Sequence, residues 1–255
     1  MRLHVHEWGE PDAPAVVCLH GITGHGRRFR KLAEERLTAY RVLAPDLRGH
    51  GRSGWEEPWT FAAHVGDLLE TFPEPAAWIG HSFGGRLTME VAARRPALVE
   101  RAVLIDPAMR VPPDIARQLS DHEGRPRAFD SREEADAELA AGLVRTPPEI
   151  LEEELREHLV QNEDGRLHFR FAPQCAASVH LELASPPPAF DRLQLPTLLI
   201  VGSDSKLVSA AEATLYREAL GDLFSLRIVP GGHSCLWEAF DDTAEAIERF
   251  LAAPF

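Results

Sequence analysis

The chain has 255 residues and a mass of 28.3 kDa, enough for one large domain or two small ones. A folded globule of that mass exposes roughly 11,000 Å², which leaves room for a real core. Hydrophobic residues at 44% and charged residues at 26% exclude a disordered or fibrous chain. The net charge of −13 repels nucleic acid and anionic membrane surfaces, and no apolar run approaches the roughly 18 residues of a membrane span. Neither nucleic acid nor membrane is therefore expected as a partner.

Residues 1–10 lack the apolar stretch of a signal peptide. Cys18, Cys175 and Cys235 are odd in number and widely spaced, which points to a reducing, cytoplasmic setting and away from a disulfide framework or zinc knuckle. Along the chain, strands are expected at 3–8, 15–19, 40–44, 76–79, 101–105, 197–201 and 224–229. Continuous apolar runs such as Val16-Val17-Cys18-Leu19 and Leu198-Leu199-Ile200-Val201 suit strands covered on both faces. Helices are expected at 61–72 behind Thr60 or an earlier cap, at 84–95, at 210–220 behind Ser209, and at 235–251. This alternation predicts an α/β fold, a mostly parallel central sheet of about seven strands with helices on both faces.

The alternation breaks between about 109 and 188. Helix-like pieces at 133–144 and 148–160 occur there without a convincing buried strand. Val111-Pro112-Pro113 stands at the entrance and Pro186-Pro187-Pro188 at the exit, stiff hinges that helices and central strands exclude. The expected organisation is a core of 1–109 and 188–255 with an inserted helical cap, 110–187. The cap holds sixteen acids against nine bases, a −7 share of the net charge, and this reads as a solvated outer face. Leu139, Leu143, Val144, Leu151, Leu155 and Leu159 recur at helical spacings and are expected to bury one face, in part as apolar walls of a binding site.

The strongest chemical signal is Gly80-His81-Ser82-Phe83-Gly84-Gly85, set between an apolar strand and a helical pattern. It matches the G-x-S-x-G nucleophile elbow. A strand turning directly into a helix strains the serine backbone, so the residues two positions either side must be small; Gly80 and Gly84 meet that demand. The turn exposes the Ser82 hydroxyl and leaves the Phe83 N–H free at a helix N-terminus. Upstream, Leu19-His20-Gly21-Ile22 ends the second strand, and a curled backbone there would aim the Ile22 N–H at the same point. Two converging donors make an oxyanion hole. His20 is read as a buried support of that loop, and the Asp and Arg residues of Asp46-Leu47-Arg48-Gly49-His50-Gly51-Arg52-Ser53 as turn-bonding groups.

A serine needs a base, and the base needs an orienting carboxylate. His233 in Gly231-Gly232-His233-Ser234 follows the last strand and is the best base. Asp204 in Val201-Gly202-Ser203-Asp204 is the favoured carboxylate. Asp106, in Ile105-Asp106-Pro107, is the rival and is read instead as an anchor of the cap entrance. Thr23, His81, Arg86 and Trp237 are candidate substrate contacts. His4 and His6 share one face of the first strand, and a His-x-His pair can open a metal site. No further ligand at suitable spacing supports one, so neither metal nor cofactor is expected.

These motifs resemble the α/β-hydrolase fold superfamily, of the capped bacterial type. The matching pieces are His20-Gly21, the 46–53 loop, Gly80–Gly85, Gly202–Asp204 and Gly232-His233, and the chain order Ser, Asp, His is the one found in that family. The resemblance implies Ser82 as nucleophile, His233 as base, Asp204 as orienter, and Ile22 and Phe83 as oxyanion donors. A serine at the elbow separates the chain from dehalogenases and epoxide hydrolases of this fold, which carry aspartate there. The implied activity is hydrolysis of a small to medium uncharged carboxylic ester through an acyl-enzyme, by a monomer or homodimer. Trp237-Glu238 also resembles carbon–carbon bond hydrolases, although Ser234 stands where those enzymes place Trp. Arg86, four residues after Ser82, resembles the menaquinone-pathway lyase of the fold. A receptor that keeps a vestigial triad is the alternative of another class.

Overall fold

The computed structural model describes residues 1–143 and 145–254. Its strands, in chain order, are β1 (Val5–Trp8), β2 (Ala15–Leu19), β3 (Arg41–Pro45), β4 (Ala76–His81), β5 (Val99–Ile105), β6 (Leu159–Gln161), β7 (Leu167–Phe169), β8 (Thr197–Gly202) and β9 (Phe224–Val229). Seven of them form one sheet in the order β1-β3-β2-β4-β5-β8-β9. β1 pairs antiparallel with β3 and every other neighbour is parallel, so the expected mostly parallel sheet is present with its seven strands.

Period-two alternation explains why the central strands are apolar throughout. Val17, Leu19, Trp78, Leu104 and Leu199 face one layer of core, while Val16, Cys18, Ile79, Val103 and Ile200 face the other. Helices α2 (Phe61–Thr71), α3 (Phe83–Arg94) and α8 (Ala210–Leu220) cover the first face. Helices α1 (Arg30–Glu35) and α10 (Phe240–Ala252) cover the second. Both layers are closed off from water, and Leu104→Ala would cost about 2–5 kcal/mol. The exposed area of 11499 Å² agrees with the scaling for this mass. No helix among the described residues is long and apolar enough to cross a membrane.

The Thr60 hydroxyl caps α2 by accepting the Ala63 N–H, and Ser209 with Glu212 forms a capping box on α8. The helix expected at 235–251 is two, α9 (Cys235–Glu238) and α10, divided at Ala239. Helix α1 is too short to show in the periodicity.

Between β5 and β8 the chain leaves the sheet. It forms α4 (Pro113–Glu123), α5 (Arg132–Gly142), α6 (Pro148–His158), the half-buried β6–β7 hairpin and α7 (Pro173–Glu182). Prolines start three of these helices at the position where a missing N–H costs nothing. Of the six expected stripe residues, Leu155 is buried beside Phe129 and Ala135, with Leu139 and Leu159 packed against them. Leu143 leans on the second core layer and Leu151 is half-buried, whereas Val144 lies outside the described residues.

The acidic excess of this segment is only partly a solvated face. Glu154 of α6 is buried and receives Arg28 in a two-bond fork at 2.9 and 2.8 Å, with His25 at 3.0 Å. Glu153 receives Arg30 at 2.6 and 2.8 Å and Arg27 at 3.3 Å. Although burial opposes it, the Arg28 charge and the bonds from Arg28 and His25 hold the Glu154 carboxyl well below its ordinary range. Acids read from composition as solvent-facing instead fasten α6 to the segment after β2 and to the start of α1.

Candidate active site

Ser82 sits at the junction of β4 and α3 with φ 55° and ψ −117°, a strained conformation for a residue with a Cβ. A Cβ on Gly80 would lie 2.3 Å from the Gly84 carbonyl oxygen, and one on Gly84 would lie 2.1 Å from that of Leu19. The elbow thus closes only with glycine at both places. Ser82 N–H donates to Ile105 O at 3.0 Å, and Ala108 N–H donates back to Ser82 O at 3.0 Å, binding the elbow to the end of β5.

The Ser82 hydroxyl donates to His233 Nε2 at 2.9 Å. His233 hangs from the loop after β9, where Gly231 adopts φ 103° and the Glu238 carboxylate accepts the Gly232 N–H at 2.6 Å. His233 Nδ1–H in turn donates at 2.6 Å to Asp106 Oδ2, and the Ser205 hydroxyl donates to the same oxygen at 2.6 Å. Asp106 is fully buried, with φ 40°.

Asp204, the expected carboxylate, does not meet His233. Its side chain is 53% exposed and paired with Arg145, whose hydrogen bond and charge hold the carboxyl below its ordinary value. The physical reason lies in register. Ile105 pairs with His81, so the next residue, Asp106, lies beside the elbow, whereas β8 lies one strand further out. The loop after β8 does reach the site, through Ser205.

Phe83 is the first residue of α3, so its N–H has no carbonyl four residues back within the helix. On the facing loop, Gly21 packs so closely that a Cβ there would lie 3.1 Å from that of Ser82, which brings the Ile22 segment against the elbow. His20 supports this loop as expected. Its Nδ1–H donates to Gly21 O at 2.7 Å, and Nε2 accepts the Leu47 N–H at 2.9 Å, which fixes the tautomer as neutral. Burial drives its pKa well below the ordinary histidine value. Next to it, Thr23 at φ 62° donates its N–H to His50 Nε2 at 3.3 Å. Asp46 accepts the Gly26 and Arg52 N–H groups at 2.8 Å each, and Arg48 pairs with Asp67 at 2.7 and 2.8 Å, the turn-bonding work expected of that loop.

A cavity of about 360 Å³ opens at Ser82. Gly21, Ile22, Thr23, Arg28, His81, His233 and Trp237 form its core side. Leu139, Leu143, His158, Phe169 and Phe171, from the segment between β5 and β8, form the opposite wall with Glu123, Arg127 and Glu138. Three candidate contacts, Thr23, His81 and Trp237, therefore face the cavity. Burial pushes His81 down to about 3, and its Nε2–H donates to His233 O at 2.9 Å, which steadies the His233 loop.

Arg86 is elsewhere. It is buried, bonded to Glu90 at 3.0 Å, and donates to Met109 O at 2.5 Å and Pro186 O at 2.8 Å. It ties the two ends of the segment between β5 and β8, a backbone role that a spacing of four from Ser82 does not reveal. Arg28, absent from the sequence candidates, lines the cavity with its guanidinium 5.2 Å over the Trp237 ring.

A mostly parallel sheet with a serine elbow after a central strand and a histidine loop after the last one defines an α/β hydrolase. The chain belongs to the Alpha/beta hydrolase family, whose model matches residues 16–246. It is 37% identical over 218 residues to lipase LipV of Mycobacterium tuberculosis, covering 83% of this chain and 79% of that protein. It is 29% identical over 252 residues to the pimeloyl-[acyl-carrier protein] methyl ester esterase of Xanthomonas campestris, covering 94% and 96%. Among solved structures, E-2-(acetamidomethylene)succinate hydrolase superposes with a TM-score of 0.87 at 26% identity, over 98% of this chain and 95% of that one.

Proposed function

We propose that the protein is a serine esterase acting on small to medium uncharged carboxylic esters through an acyl-enzyme. The observation that carries this reading is the hydrogen-bonded chain from Ser82 and His233, which line the cavity, to the buried Asp106 behind them. In this mechanism His233 Nε2 takes the proton of Ser82 as Oγ attacks the ester carbonyl. Asp106 holds the ring in the tautomer that presents Nε2 and stabilises the imidazolium. The Ile22 and Phe83 N–H groups receive the charge that develops on the carbonyl oxygen. His233 then returns the proton to the leaving alcohol, and a water activated the same way releases the acid.

The cavity's cations Arg28 and Arg127 are matched by Glu154, Glu123 and Glu138, which supports an uncharged substrate over an anionic one. Segment 110–187 acts as a cap that supplies the apolar wall and grades acyl length, with 1–109 and 188–255 as the core. The likeness to a lipase and a methyl ester esterase supports ester chemistry. The lyase alternative needs Arg86 in the pocket, and its guanidinium is occupied by backbone carbonyls outside it.

Labelling with a fluorophosphonate probe, read by mass spectrometry, should modify Ser82. Turnover of p-nitrophenyl butyrate should show a burst of one nitrophenol per chain where deacylation is slow. A chain that binds esters without labelling or turnover would be a receptor, and the esterase reading would fall.

A further inference from the structure

The third residue of the His4-x-His6 pair comes from the fold. In the β1–β3 ladder Val5 opposes Pro45 and His6 opposes Ala44, and the Asp46 N–H extends the pairing by donating to His4 O at 2.9 Å. Period-two alternation therefore sets His4, His6 and Asp46 on one face, with the small side chain of Ala44 leaving space between them. One ligand-capable atom from each of the three lies within 4.8 Å of the others, and His6 Nε2 is 3.1 Å from Asp46 Oδ1.

We propose that His4, His6 and Asp46 form a zinc-type cation site, with two imidazole nitrogens and one carboxylate oxygen as protein ligands and water in the fourth position. Bonds of about 2.0–2.2 Å in a tetrahedron place ligand atoms about 3.3–3.6 Å apart. The His6–Asp46 edge is already near that spacing, and the half-exposed His4 ring, edge-on to His6 with centroids 4.7 Å apart, turns to close the others. The ion replaces the proton that His6 Nε2 donates to Asp46, and that proton leaves to solvent. The Gly26 and Arg52 N–H groups stay on Asp46 and keep the carboxylate oriented, the outer support that metal-binding carboxylates need.

Two imidazoles with one carboxylate select borderline ions such as Zn²⁺ over Mg²⁺ or Ca²⁺, which prefer oxygen donors throughout. None of the three residues lines the cavity at Ser82. The ion would staple the antiparallel edge strand to the 46–53 loop, so its effect falls on stability and leaves the ester chemistry alone.

The test is a calorimetric titration of chelator-stripped protein with zinc chloride, paired with thermal melts. One Zn²⁺ should bind per chain and raise the melting temperature. His4→Ala should weaken binding by about 100-fold or more, since losing a ligand costs at least as much as losing its outer support. The His4 ring makes no hydrogen bond to the described residues, so this variant should keep the metal-free melting temperature and the esterase rate of the parent. His6→Ala should lose zinc likewise, and Co²⁺ should give the strong visible bands of four-coordination in the parent alone. Zinc that binds His4→Ala as tightly as the parent would sit elsewhere, on His233 for instance, and the proposal would be overturned. An absence of any heat or melting shift in the parent would overturn it as well.

Discussion

Asp106 and Asp204 each follow a strand of the same sheet, and β5 and β8 are neighbours. Asp106 is wholly buried at a positive φ, accepting bonds from His233 and Ser205 on one oxygen. At the residue next to that serine donor, on the other strand's loop, the surroundings are reversed: Asp204 is half in water and faces an exposed side chain, Arg145. A carboxylate orients a histidine only if water does not compete for it and a rigid backbone fixes its direction. Ending a strand is not enough. The burial of the residue and the pairing partner of its strand decide which aspartate the histidine meets.

The sharpest way to break this comparison is at the hydrogen-bonded chain Ser82–His233–Asp106. Ser82→Ala or His233→Ala should lower kcat by about 10⁴ or more, with the double variant little worse than either, because the groups act as a unit. Asp106→Asn should lose about 10³–10⁴, since asparagine tolerates positive φ but presents the wrong partner to Nδ1. Additive losses in the double variant, or a harmless Asp106→Asn, would return the role to Asp204.

Burial against exposure should also govern acid stability. Burial lowers His50 to about 4 and His64 and His81 to about 3, against 6.5 when free. Between those values the unfolded chain binds protons that the folded one refuses, so stability is full above about pH 6.5 and is lost as the pH falls toward 3. Each histidine contributes about 1.4 kcal/mol per pH unit over that window. Urea midpoints measured at pH 7 and pH 5 should differ accordingly, and equal midpoints would mean that these rings carry charge inside the fold.

A smaller effect is expected at Ser205→Ala, about tenfold in kcat with little change in KM, because one of the two donors on Asp106 Oδ2 is removed. Smallest of all, Asp204→Asn should stay within about twofold, since exposed ion pairs contribute little. A ranking with Asp204 above Ser205 in kinetic assays would show that the loop acts through its charge.

The seven strands were legible because apolar runs and turns alternate along 1–109 and 188–255, and the elbow because Gly80 and Gly84 flank Ser82 at a strand-to-helix change. The half-buried hairpin was not, since its three-residue strands carry no period long enough to read. The aspartate that His233 meets was not legible, because both aspartates satisfy the same positional rule. One signal did separate them: Asp106 lies among Ile105, Pro107, Ala108 and Met109, whereas Asp204 lies between Ser203 and Ser205. A carboxylate in an apolar run needs a buried partner, and a carboxylate between serines does not. The fastening of α6 joins residues more than 120 positions apart, such as Arg28 and Glu154, and spacing along the chain holds no trace of it.

Arg86 donates to Met109 O and Pro186 O from a single guanidinium. The chain therefore departs from the sheet and rejoins it within the reach of one side chain. A segment that starts and stops at the same place behaves like an inserted module, and its length can change without displacing either strand that borders it. In this architecture one excursion can be exchanged for another over an unchanged sheet, and Arg86 is the clasp that any replacement would need to fit.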